Sequence, residues 1–146
     1  MWTTERFDEG QVELAASISQ NWGFPRDLSR NEIESGEWYG MFRDDQLALV
    51  WWLERIEGSP EDAGLHYVIE PSARKHWPAR QWLLAVIPTA RSRGVRRLHA
   101  AVEGEILNYI LRYVAIWNRR RSDRLTVTHR TPFGSVEALV IDVGEN

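Results

Sequence analysis

The 146 residues carry a net charge of −3 and no cysteine, which suits one domain of ordinary size and excludes disulfides, thiolate metal sites and cysteine nucleophiles. The acidic balance gives no electrostatic basis for a general nucleic-acid role. No apolar run approaches the roughly 20 residues of a membrane span, and the first ten residues lack the basic and apolar regions of a signal peptide, so a cytoplasmic location is expected. Lys75 is the only lysine among 18 basic residues, and eight residues are tryptophan.

The elements follow from periodicity and punctuation. Asp8–Asn21 reads as a helix with Val12, Leu14, Ala15 and Ile18 on its apolar side and Asp8 at its start, and a short strand precedes it. Gly23-Phe24-Pro25 breaks the pattern. Ser29–Glu34 predicts a second, short helix, with Ser29 and Glu32 at capping-box spacing. Glu37–Phe42 and Gln46–Ile56 predict a hairpin across Arg43-Asp44-Asp45. The adjacent Trp51 and Trp52 point to opposite faces, so one of them is a candidate for a pocket or interface.

Residues 57–64 read as a loop and Leu65–Glu70 as a third strand. Its alternation places Leu65, Tyr67 and Ile69 on one face and His66, Val68 and Glu70 on the other. A helix over Pro78–Arg93 starts with a favourable proline and ends at Gly94, with Pro88 expected to kink or shorten it. Val95–Val102 reads as a strand and Glu105–Trp117 as a helix with Ile106, Ile110, Val114 and Trp117 in register. Arg119–Asp123 reads as a polar loop. Strands over Leu125–His129 and Val136–Val143 are joined through Thr131-Pro132-Phe133-Gly134. The β-α-β crossover implies a parallel pair and the hairpins antiparallel ones, giving a mixed α/β sheet with helices packed on it.

Most reactive chemistries find no support. His66, His76, His99 and His129 have no ligand spacing, so no metal site is expected. No serine sits in a nucleophile-elbow context. Arg119-Arg120-Arg121 reads as a solvated charge run.

The segment Val68–Leu84 stands out. A strand-like run ends at Pro71, the basic Arg74-Lys75-His76 follows, and a helix begins after Pro78. Strand, donor-rich turn and helix N-terminus together favour an anion. In order of elements and in this segment the chain resembles the GCN5-related N-acetyltransferase (GNAT) superfamily. That family places Arg or Gln, two residues, Gly, one residue, then Gly or Ala between its fourth strand and third helix. Here Arg74 fits the first position and Ala79 the last, and Pro71 sits where members often carry proline. Trp77 replaces the glycine that allows close backbone approach, and Pro78 removes a donor.

The resemblance implies a GNAT-like α/β fold: a central, mixed but mostly antiparallel sheet flanked by helices, in a single domain over 1–146. It implies acetyl-CoA as cofactor, held by Val68, Arg74, Lys75, His76, Trp77, Pro78 and Ala79. Glu70 is the candidate base for the acceptor amine, ahead of His66 on the same face. The family's general acid is a tyrosine in the last major helix. Alignment on Trp117 puts Arg112 at that position and Tyr113 one place out of register, which makes Tyr113 the candidate acid. Two readings follow. The chain is an N-acyltransferase acting on a small-molecule or protein amine. Alternatively it is a catalytically inactive GNAT-like protein, such as a phage virion component or an effector of a host enzyme, that works by binding a protein partner. Neither involves nucleic acid or membrane, and no oligomeric state, a dimer included, is legible.

Overall fold

In the computed structural model, residues 1–76, 78–129 and 136–144 are described. The elements run β1 (Trp2–Arg6), α1 (Glu9–Asn21), α2 (Arg30–Ser35), β2 (Glu37–Arg43), β3 (Gln46–Arg55), β4 (Asp62–Ile69), a 3₁₀ turn (Pro71–His76), α3 (Ala79–Ser92), β5 (Arg97–Glu103), α4 (Gly104–Arg120), β6 (Thr126–His129) and β7 (Val136–Asp142). The seven strands are ordered β1-β2-β3-β4-β5-β7-β6. The β4–β5 pair is parallel, while β1–β2, β2–β3, β5–β7 and β6–β7 are antiparallel. The expected mixed, mostly antiparallel α/β sheet is thus present. The chain groups into two compact units, Met1–Arg55 with Leu65–Trp77, and Ile56–Gly64 with Pro78–Asn146.

In the first unit the local signals act as read. Asp8 accepts from the Gln11 amide at 2.9 Å while Gln11 Oε1 accepts from the Asp8 amide at 2.9 Å, a capping box that starts α1. Gly23, at φ 89°, lets α1 end in a Schellman turn, with the Phe24 amide donating to the Ser19 carbonyl and that of Gly23 to Gln20. The β2–β3 hairpin turns on Asp44 and Asp45, both at positive φ, as a two-residue turn of the hand that fits strand twist requires. Gly40 is needed for packing: a Cβ there would lie 2.5 Å from the Phe7 ring and 2.9 Å from Leu47.

The core of this unit is aromatic. Trp38 pairs with Trp52, and Tyr39 with Trp51, across β2 and β3. Each pair stacks at a centroid distance of 4.2 Å, one on each face of the hairpin. Val12, Ala15 and Ala16 of α1 pack with Trp38, Val50, Trp52 and Val68. Trp51 and Trp52 are both fully buried, so neither lines an open pocket. Packing on two faces of β3 accounts for the pair.

In the second unit α3 buries Ala79, Trp82, Leu83, Val86, Ile87 and Ala90, one stripe at helical spacing. It closes on Gly94, at φ 75°, through the Val95 amide to Ala90 and the Gly94 amide to Arg91. α4 buries Ile110, Val114 and Trp117 and packs against α3.

Three expectations change, and the place of one strand in the sheet is new. Pro88 does not shorten α3, because the helix continues to Ser92. Pro88 and Leu84, whose carbonyl loses the bond, lie on the exposed side, where water can replace it. β4 starts at Asp62, not Leu65, because Asp62–Gly64 pair with Arg97–His99. α4 runs to Arg120, so the polar loop is shorter than read. β7 lies between β5 and β6, an order that hairpin reading alone does not give. The expected link at 131–134 lies outside the described residues. No described helix is long and apolar enough to cross a membrane.

Because Pro88 forfeits a helix hydrogen bond at an exposed position, Pro88→Ala is expected to raise unfolding stability by about 1–3 kcal/mol. Urea unfolding of the two proteins measures this; an unchanged or lower stability would show that the ring makes contacts worth more than the bond.

Candidate functional site: the strand-to-helix turn and a buried charged cluster

The residues singled out in the sequence fall along the end of β4, the 3₁₀ turn and the start of α3. Val68 is buried in the core of the first unit. The Glu70 amide donates to the Ala48 carbonyl at 2.8 Å, which fixes the end of β4. The Glu70 carboxylate accepts from the Ser72 amide at 2.9 Å and the Ala73 amide at 3.1 Å, and from the Ser72 hydroxyl. Glu70 thus caps the turn. The Ser72 hydroxyl above all, with the two amides and Arg74, holds its pKa below the usual glutamate value despite an opposing effect of burial. A carboxylate held in this way is a weaker proton acceptor than a free one.

The basic residues of the turn divide. Arg74 Nη2 donates to the Trp22 carbonyl at 2.6 Å. Lys75 is exposed. The side chain of His76 and the whole of Trp77 lie outside the described residues. Pro78 and Ala79, in the second unit, are buried, and the Pro78 carbonyl accepts from the Trp82 amide at 2.8 Å to start α3. Tyr113 is a half-buried residue of α4.

A second cluster was not read from the sequence. Ser29 and Glu32 form the expected capping box of α2, but the Glu32 side chain is only 1% exposed. Its Oε1 accepts from Arg26 Nη1 at 2.6 Å and the Ser29 amide at 3.0 Å. Its Oε2 accepts from Arg26 Nη2 at 2.9 Å and Trp52 Nε1 at 2.8 Å. The Glu32 carbonyl takes Trp38 Nε1 at 2.8 Å. Both indoles of the stacked Trp38–Trp52 pair therefore donate to one glutamate. Burial pushes the Glu32 pKa up, but the Arg26, Ser29 and Trp52 hydrogen bonds outweigh it and hold the value down to about 2.

Beside this pair, His66 Nε2 lies 2.9 Å from Glu54 Oε1 and 3.8 Å from Glu32 Oε2. The His66 ring tilts against Trp52, with centroids 5.5 Å apart, and Phe24 stands edge-on to both. Glu32, Glu54 and His66 bring ligand atoms within 4.8 Å of one another. Four hydrogen bonds already occupy the lone pairs of Glu32, and the Arg26 guanidinium supplies the positive charge. The group is therefore a closed ionic network. In the second unit, Asp62 receives Arg97 at 2.8 and 2.9 Å and His99 at 2.7 Å. These bonds hold its carboxyl well below the usual aspartate range.

The sequence signal for Glu32 was its capping-box position alone. Its main partners, Arg26, Trp52 and Trp38, lie 6 or 20 residues away, and no spacing rule connects them.

Glu32→Gln keeps the shape but removes the charge that strengthens the Arg26 hydrogen bonds, while the half-exposed Arg26 can still be solvated, so it is expected to cost about 1.5–3 kcal/mol, read from urea unfolding. The pH dependence has a defined sign. The folded pKa is depressed, so the contribution is complete above about pH 4.5 and is lost as pH falls toward about 2. In Glu32→Gln that part of the acid-induced loss is absent. An acid limb identical to wild type would show that Glu32 carries no such linkage.

No family model matches the sequence, and no curated protein matches it. Among solved structures, the chain is similar to the GNAT domain of S. lividans PAT, with 15% identity and a TM-score of 0.65 over 95% of this chain and 89% of that one. It is similar to the ribosomal-protein-S18-alanine N-acetyltransferase of Escherichia coli, with 15% identity and a TM-score of 0.65 over 100% and 96%. It is also similar to a Bacillus subtilis acetyltransferase in complex with CoA, with 14% identity and a TM-score of 0.64 over 98% and 99%. The likeness spans essentially the whole length of both partners in each case, and the chain has the GCN5-related N-acetyltransferase fold.

Proposed function

We propose that the protein is an acyl-CoA-dependent N-acyltransferase that moves an acetyl group from acetyl-CoA to an amine of a small molecule or protein. The observation that carries this reading is the full-length likeness to N-acetyltransferases, including one in complex with CoA. In the reaction the amine nitrogen bonds to the thioester carbonyl carbon, the carbon–sulfur bond breaks, the amine loses a proton and the thiolate gains one.

The residues of this chain divide that work as follows. Lys75 and His76 are the basic groups of the turn proposed to meet the cofactor's phosphates, since Arg74 is turned to the Trp22 carbonyl. The Ser72 and Ala73 amides are taken by Glu70, so the turn meets an anion through later donors or through side chains. Tyr113 is the proposed proton donor to the thiolate. Glu70 as base for the amine is the weaker assignment, because its hydrogen bonds spend its proton affinity on the turn.

Acetyl-CoA supplied at about 100 times its dissociation constant is expected to stabilise the fold by about 2.7 kcal/mol, seen as a thermal shift and confirmed by calorimetric titration. Trp77→Gly restores the glycine of the family pattern and is expected to tighten binding. Absence of any shift at millimolar acetyl-CoA in both proteins would contradict the reading.

A further inference from the structure

The end of α1 leaves backbone acceptors beyond the reach of its own amides. The Schellman turn uses the Ser19 and Gln20 carbonyls, and the carbonyl of the cap residue, Trp22, is met by Arg74 Nη2 from 52 residues away. A cation at this place is doubly favoured. It satisfies an orphan carbonyl through a charge-assisted bond, and it sits at the negative end of the helix dipole. The last turn of α1 carries no basic residue of its own. Gly23 is required here by its positive φ of 89°; a Cβ would meet Arg74 Nη2 only at an ordinary contact of 3.8 Å.

Both ends of this bond belong to segments held by further hydrogen bonds. On one side Glu70 caps the 3₁₀ turn that carries Arg74. On the other, the segment between α1 and α2 is tied down at its far end. Gln20 Nε2 donates to the Arg26 carbonyl at 3.0 Å, and Arg26 grips Glu32 with two bonds. Phe24, within that segment, stands beside Trp52 and His66, and its ring already faces the Arg26 guanidinium at 5.0 Å. The Arg26 and Glu32 charges offset each other, and Glu54, partly exposed and 2.9 Å from His66, adds a further carboxylate beside these rings. Such chemistry receives an ammonium and repels a phosphate.

We infer that Arg74 is a positioning residue which clamps the segment between α1 and α2 to the strand-to-helix turn, and that the clamp shapes the amine side of the site and not the phosphate side. The clamp itself rests on the geometry alone. Its effect on turnover rests on the acyltransferase reading above.

Two variants and two readouts test this. Arg74→Ala removes the donor; Arg74→Lys keeps a cation able to donate to one carbonyl. Amide hydrogen exchange on the ligand-free proteins is expected to speed up about tenfold over residues 23–28 in Arg74→Ala and to stay within about twofold of wild type in Arg74→Lys. In steady-state transfer, Arg74→Ala is expected to raise the KM for the amine about tenfold, with the KM for acetyl-CoA within about twofold of wild type. Unchanged exchange over residues 23–28 overturns the clamp. A rise confined to the KM for acetyl-CoA overturns the assignment to the amine side and makes Arg74 a phosphate ligand. If wild type shows no transfer and no acetyl-CoA binding, the acyltransferase reading fails, and the exchange measurement still decides the clamp.

Discussion

The ion pair between Arg26 and Glu32 organises the first unit. A carboxylate with 1% exposure is costly to bury unless every lone pair is met. Here all four are met, by two guanidinium nitrogens, one backbone amide and one indole. That requirement dictates geometry around it. The segment between α1 and α2 must return Arg26 to α2, Ser29 must cap α2, and the Trp38–Trp52 stack must present both indole N–H groups toward the same residue. The stack in turn sets the register of the β2–β3 hairpin, since the two rings belong to directly paired residues. One satisfied charge therefore links a helix cap, a connecting segment and two strands.

That arrangement also builds the neighbourhood of His66 and Glu54. Phe24 stands edge-on to Trp52 and His66, which tilt against each other, and Glu54 pairs with the imidazole while both remain partly exposed. At the end of the same strand Glu70 caps the turn bearing Arg74 and Lys75. One strand thus leads from an anionic, aromatic neighbourhood to a basic turn.

Much of the frame was legible because local interactions decide it. Asp8 with Gln11, Ser29 with Glu32, Asp44-Asp45 and Gly94 each announce a cap or turn through groups a few residues apart, and each does what its chemistry suggests. The fold class followed from the order of such elements. What was not legible depends on distant partners. Asp62–Gly64 look like loop residues until β5 supplies their hydrogen bonds. Pro88 looks like a helix breaker until its exposed position lets water take the place of the lost partner. Glu32 looks like a surface cap until Trp52, twenty residues on, reaches its carboxylate. Arg74 matched a phosphate-loop position by sequence, but its partner in space is a carbonyl 52 residues earlier.

The acyl-transfer reading joins the fold to these residues, and turnover tests it most directly. Release of free coenzyme A thiol from acetyl-CoA can be followed while a panel of small amines and basic peptides is supplied. The expected release depends on the amine, saturates with it, and is matched mole for mole by the acetylated product in mass spectrometry. Thiol release at the uncatalysed rate with every amine, in wild type and in Trp77→Gly alike, would contradict it.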